Sequence, residues 1–161
     1  LRDRMFAMYE KRDMEGLLAD VAPDVVITWQ NADRNEGHEE FLQFYDVMMN
    51  GDNRIVEDVS SEFSVDELST LYGEDTAIAR GTLVDHFRLT NGSDFRLDSK
   101  WTATVVKLDG AWKVASFHVS SNIFDNPIRS YAQSWLIRVG LIGGILGLVC
   151  GLVIGRKTKR V

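Results

Sequence analysis

The sequence predicts an α+β fold, with helices packed on one face of a curved antiparallel sheet, followed by a single transmembrane helix. Three observations carry this reading. Helical apolar spacing in the soluble part is confined to roughly its first fifty residues. The pattern then switches to long β-branched and alternating stretches that run to Asn122. Near the C-terminus, residues 139–154 read VGLIGGILGLVCGLVI without a single charge. Helices first and a meander of strands after is the signature of an α+β layer architecture.

The elements follow in order. Met5, Phe6, Met8 and Tyr9 recur at helical spacing, which predicts a helix to about Arg12. A second short turn of helix is predicted from Asp13 to Ala19, with Asp13 as its N-cap and Gly16 as a weak point. Ala22-Pro23-Asp24 breaks the helix, and residues 25–30 read as a strand. Residues 31–37 read as a polar loop. Phe41, Leu42, Phe44, Tyr45, Met48 and Met49 predict an amphipathic helix over residues 38–49, ended by Asn50-Gly51. Strands are predicted over residues 55–65, 76–90, 95–108 and 111–122. Asn91-Gly92 and Asp109-Gly110 supply tight turns between the last three.

Trp135, Leu136 and Ile137 extend the uncharged run to about twenty residues, interrupted only by Arg138. Roughly twenty residues at 1.5 Å each span a hydrocarbon core. Arg138 can snorkel, and Tyr131 and Trp135 suit the headgroup zone. Gly143, Gly147, Gly151 and Gly155 recur every fourth residue, and Gly140 with Gly144 forms a second such pair. This spacing opens a groove that lets another backbone approach, so helix–helix packing is expected, with a second copy or with other transmembrane helices. Arg156, Lys157, Lys159 and Arg160 follow the span. The positive-inside rule then favours a cytoplasmic C-terminus with the domain outside, whereas the absence of a visible export signal favours a cytosolic domain. Both orientations stay open at this point.

Charge excludes one class of partner. The formal net charge is −6, and the acidic residues lie mostly before residue 126, so no nucleic-acid partner is expected. Cys150 is the only cysteine, which rules out an intrachain disulfide. No phosphate-binding glycine loop, Cys/His cluster or nucleophile elbow is present in the sequence, so no cofactor and no metal are expected.

The stretch KWTATVVKLDGAWKVASFHVSSN, residues 100–122, resembles the C-terminal signature of the SnoaL-like branch of the NTF2-like superfamily. That signature is a strand bearing Trp-Thr, an Asp-Gly turn, then Trp-Lys-Val and a closing Phe-His-x-Ser. Here these are Trp101, Thr102, Asp109, Gly110, Trp112, Lys113, Val114, Phe117, His118 and Ser120. The same run is similar to the association domain of calcium/calmodulin-dependent kinase. The resemblance covers about residues 2–124. It implies a cone-shaped fold, a strongly bent sheet wrapped round helices with a cavity at the open end, and dimerisation through the sheet. Association domains carry an arginine where this chain has Ala103, so their binding of a small carboxylate is not expected here. The domain plan is then 1–127 for the SnoaL-like/NTF2-like domain, 128–134 for a juxtamembrane linker, 135–155 for the transmembrane helix and 156–161 for a basic tail.

His118 is the first candidate for chemistry. It shares a strand face with Ser116 and Ser120, and a histidine near neutral pKa can act as acid or base in a cavity. A wall or interface position is the commoner role. Asp85 shares a face with Leu83 and Phe87, so it is expected to point inward, where a raised pKa would suit a general base. His86 falls on the opposite, polar face with Arg80 and Arg88. His38-Glu39-Glu40 opens a helix, where acids complement the dipole. Trp29, Tyr45 and Trp101 are candidate pocket-lining aromatics, with core packing as their default role.

Two functions from different classes follow. The favoured one is a membrane-anchored, non-catalytic interaction domain, an accessory or stabilising subunit of a larger membrane protein complex. The alternative is a membrane-tethered SnoaL-like enzyme or carrier for a small lipophilic ligand, with His118 and Asp85 as acid or base. Membrane lipid is an expected partner in both.

Overall fold

The computed structural model describes the backbone of residues 1–158 and the side chains of residues 1–148, those of Ile128 and Tyr131 excepted. The chain divides into two compact units, Leu1–Asn122 and Ile123–Val161.

In the first unit, α1 (Arg2–Glu10) and α2 (Met14–Leu18) are separated by a turn at Lys11 and Arg12. Asp13 caps α2 as its sequence position predicts: its Oδ1 accepts the Gly16 N–H at 2.8 Å. After β1 (Val21–Thr28) and β2 (Arg34–Glu36) come α3 (Gly37–Tyr45) and a π-helical turn, Asp46–Asn50. Five strands complete the unit: β3 (Val56–Val65), β4 (Thr70–Tyr72), β5 (Thr76–Leu89), β6 (Asp94–Leu108) and β7 (Ala111–Ser121). All four long strands lie where the alternation of the sequence puts them.

Three expectations need correction. The sheet is mixed, not antiparallel: in the order β2-β1-β7-β6-β5-β3, β1 runs parallel to β7. A strand that enters from a helical segment and pairs with the last strand of a meander is free to take either direction, and local sequence does not record which. The first strand begins at Val21 and contains Pro23. Its ladder with β7 skips from Val21 to Val26, so Pro23 sits at an irregularity where its missing N–H breaks no register pair with β7. The loop expected over residues 31–37 contains β2, and β4 lies in a segment for which no strand was expected. Both are three-residue strands, too short to show a period.

Alternation divides the sheet into two faces. On β6, Leu97, Ser99, Trp101 and Ala103 are buried, while Arg96, Asp98, Lys100 and Thr102 are exposed. One apolar cluster joins Met14, Leu17, Val21, Val25, Ile27 and Phe41 from the helices and β1. A second joins Leu83, Trp101, Ala103 and Val119 on the sheet. Gly81 is needed beside it: a Cβ there would lie 2.7 Å from the Trp101 ring and would collide with the Ser64 carbonyl.

The second unit contains α4 (Pro127–Thr158), 32 residues long. The Asn126 side chain accepts the Arg129 N–H at 3.0 Å, capping its first turn. Trp135, Leu136, Ile137, Leu141, Ile142, Ile145, Leu146 and Leu148 are all exposed. Among the described residues, no helix is long and apolar enough to cross a membrane. The span expected over residues 135–155 lies within α4, and its side chains from residue 149 on, with Cys150, Gly151 and Gly155, lie outside the described ones.

Candidate functional site

The most chemically loaded position on the inner face is Asp85. Strand alternation turns Leu83 and Asp85 inward and His86 outward, and Asp85 is only 4% exposed. Ser61 is its register partner on β3. The Ser61 hydroxyl donates to Asp85 Oδ1 at 2.5 Å, and Gln30 Nε2 donates to Oδ2 at 2.8 Å. Ser61 has one proton and spends it on Asp85, so in the 3.1 Å contact between Tyr9 Oη and Ser61 Oγ the phenol is the donor. The result is a directed chain from Tyr9 to Ser61 to Asp85, joined by Gln30, that ties α1, β3, β5 and the turn after β1 together.

Burial pushes the Asp85 carboxyl above its ordinary range, and the Ser61 and Gln30 hydrogen bonds pull it part of the way back. Burial likewise pushes the Tyr9 phenol up, while its bond to Ser61 opposes the shift. One row along the inner face, Ser99 pairs in register with Leu83 and Ser121. Its hydroxyl is buried and makes no hydrogen bond. A buried hydroxyl without a partner is uncommon in a folded protein, because its lost hydration goes uncompensated.

The expected site residues separate. His118 is exposed on the outward face of β7, in register with Thr102 and Thr28, while its neighbours Phe117 and Val119 point inward. Ser116, His118 and Ser120 do share a face, but Asp85 lies on the other one. Trp101 is buried against Phe63 and Phe117, with ring centroids 6.4 and 5.8 Å away. Trp29 stacks on Phe41 and Phe44, and its indole N–H donates to Asn35 Oδ1 at 2.6 Å. Tyr45 packs against the helical cluster and lines an open groove of about 470 Å³ with Arg12, Met14 and Leu42. Trp29 and Tyr45 therefore border the helical cluster, while Trp101 belongs to the sheet cluster.

His86 is exposed, and His38 Nε2 lies 3.3 Å from the Val21 carbonyl oxygen. On α4, a Cβ built at Gly140, Gly143, Gly144 or Gly147 meets nothing within 4 Å. Among the described residues, no group of three or more His, Cys, Asp or Glu side chains is arranged to hold a metal ion. Sequence reasoning missed Tyr9, Gln30, Ser61 and Ser99. Only Ser99 had a local signal, its two-residue spacing from Trp101; the others depend on long-range register.

A family model described as the SnoaL-like domain matches residues 3–115. No curated protein matches the chain significantly. Among solved structures, the fold is similar to a hexachlorocyclohexane dehydrochlorinase, with TM-score 0.64 and 15% identity, over 75% of this chain and 84% of that one. It is similar to a scytalone dehydratase-like protein of Novosphingobium aromaticivorans, with TM-score 0.61 and 19% identity, over 75% and 81%. It is also similar to the association domain of C. elegans calcium/calmodulin-dependent protein kinase II, with TM-score 0.55 and 19% identity, over 74% and 89%. Enzymes and assembly domains thus share this backbone, and the likeness speaks to fold alone. Since the family model spans most of the chain and the sheet is mixed and curved, the chain belongs to the SnoaL-like domain family of the NTF2-like fold.

Proposed function

We propose that this protein is a membrane-anchored, non-catalytic interaction domain that serves as an accessory or stabilising subunit of a larger membrane protein complex. The observation that carries the reading is the filling of the inner face. Phe63, Trp101 and Phe117 contact one another where a ligand would need space, and His118 faces outward, away from Asp85. An acid and a base on opposite faces of one sheet cannot act on the same bond.

The anchor rests on separate support. Residues 139–154 carry no charge in the sequence, and the apolar side chains from Trp135 to Leu148 are exposed rather than packed. A contiguous apolar surface of that kind is covered by lipid or by protein in a native setting. The glycines at 140, 143, 144 and 147 leave room for a second helix, from another subunit or from another copy.

The test is mild-detergent extraction from native membranes, with mass spectrometry of whatever migrates with the protein. Stoichiometric membrane subunits are expected, and their loss in a Gly143→Leu, Gly147→Leu double variant. Migration alone, unchanged by the double variant, overturns the reading.

A second reading, a tethered carrier or enzyme for a small lipophilic ligand, is favoured by one observation. The unpartnered Ser99 hydroxyl lies one row from the buried Asp85. It requires Asp85→Asn to abolish binding of such a ligand while the fold persists.

A further inference from the structure

Helix α1 is built to detach. It has nine residues, its apolar side chains from Met5 to Tyr9 are half-buried with none fully enclosed, and no side chain caps its N-terminus. Helices this short are marginal on their own and depend on tertiary contact. Met5, Met8 and Tyr9 pack against the edge of the helical cluster, and a small set of specific contacts adds to that packing. Phe6 lies 5.1 Å from the Phe63 ring, and Tyr9 meets the same ring edge-on at 5.9 Å. The Tyr9 hydroxyl bonds Ser61. Arg4 reaches the nearly buried Asp20 carboxylate through two bonds, at 3.0 and 2.5 Å.

The chain leaves α1 through Arg12, whose φ of +56° places a residue with a Cβ in the left-handed region. A strained single residue between two short helices is a natural pivot. The Tyr9 hydroxyl of α1 meets Ser61, which bonds Asp85, and the unpartnered Ser99 lies one row along the same sheet face. These groups carry unsatisfied or desolvated polarity that water or a ligand would relieve.

We propose that α1 is a lid that swings about Arg12 and opens a path from solvent to Ser61, Asp85 and Ser99 while the sheet stays folded. The proposal does not depend on whether the domain is catalytic. Elements that move are drawn from the least stable parts of a fold, and α1 has the marks of one.

The experiment uses the full chain in mild detergent, with Cys150→Ser to remove its only thiol and Ser99→Cys as the reporter. Because the Ser99 hydroxyl bonds nothing, the exchange to cysteine sacrifices no interaction. Alkylation by iodoacetamide is followed over low urea concentrations. A lid predicts a labelling rate nearly flat in urea, since local opening exposes little surface. Adding Tyr9→Phe raises it roughly five-fold, the factor that one net hydrogen bond is worth at 25 °C. Adding Val114→Ala on β7, which lowers global stability, leaves the rate unchanged.

A rate that climbs with the full slope of global unfolding, or that follows Val114→Ala, overturns the proposal, as does a thiol that never reacts. Should Ser99→Cys not fold, amide hydrogen exchange on the unmodified chain decides. Protection in α1 far below that of β5 and β6 supports the lid, and equal protection overturns it.

Discussion

The Ser61 hydroxyl meets the Asp85 carboxylate at 2.5 Å across the β3–β5 register, so an acid on the inner face of the sheet is held by a donor 24 residues away. This pairing is paid for in desolvation, because Asp85 is buried and, among the described residues, no cation touches it. The first prediction follows from that cost.

Asp85 has a folded pKa above its unfolded value of 3.8. Between those two values the folded state binds more protons than the unfolded chain. The stability held by the neutral carboxyl is therefore fully present below the unfolded pKa and is lost as pH rises through the folded one. Asp85→Asn cannot titrate. Urea midpoints of both proteins, taken from about pH 4 to about pH 8, should show the wild type losing ground to the variant as pH rises. A difference that is constant, or that moves in favour of the wild type, would show that Asp85 stays ionised throughout.

His118 stands outside this network, exposed on the opposite face. His118→Ala should change folding stability by no more than about 0.5 kcal/mol, the usual range for a surface site. It should also leave the pH dependence due to Asp85 intact. Calorimetry across pH checks both, and a loss several times larger would place the imidazole in an interface or a core.

Gly81 lies against the Trp101 ring and the Ser64 carbonyl. Gly81→Ala forces one of them to move, and the carbonyl belongs to a paired strand. A loss of about 1–3 kcal/mol is expected, the range for overpacking a filled core. Chemical denaturation measures it, and a neutral result would mean that β3 and β5 part more easily than their register implies.

Trp101 is 7% exposed and touches both Phe63 and Phe117. Trp101→Ala should cost about 3–5 kcal/mol through lost burial and the cavity left behind. A pocket-lining tryptophan in an open cavity would cost far less, so the same measurement separates core packing from ligand stacking.

The legible part of this protein was whatever local periodicity and turn chemistry dictate. The alternation of Leu97, Ser99, Trp101 and Ala103 marked a half-buried strand, and Asp109-Gly110 marked the turn after it, where both residues take positive φ. Asp13 announced a helix start because its carboxylate has only one N–H-rich place to go. The inward aim of Asp85 followed from that period together with its apolar face-mates Leu83 and Phe87.

What tertiary structure alone decided was pairing over distance. That β1 lies parallel to β7 depends on how the chain closes. That Ser61 meets Asp85, that Tyr9 reaches Ser61 and that Gln30 arrives from the turn after β1 all depend on register, and a one-residue slip would move each to the other face. The side that His118 faces was undetermined for the same reason. The period of a strand says which residues share a face, and only packing against the helices says which of the two faces becomes the interior.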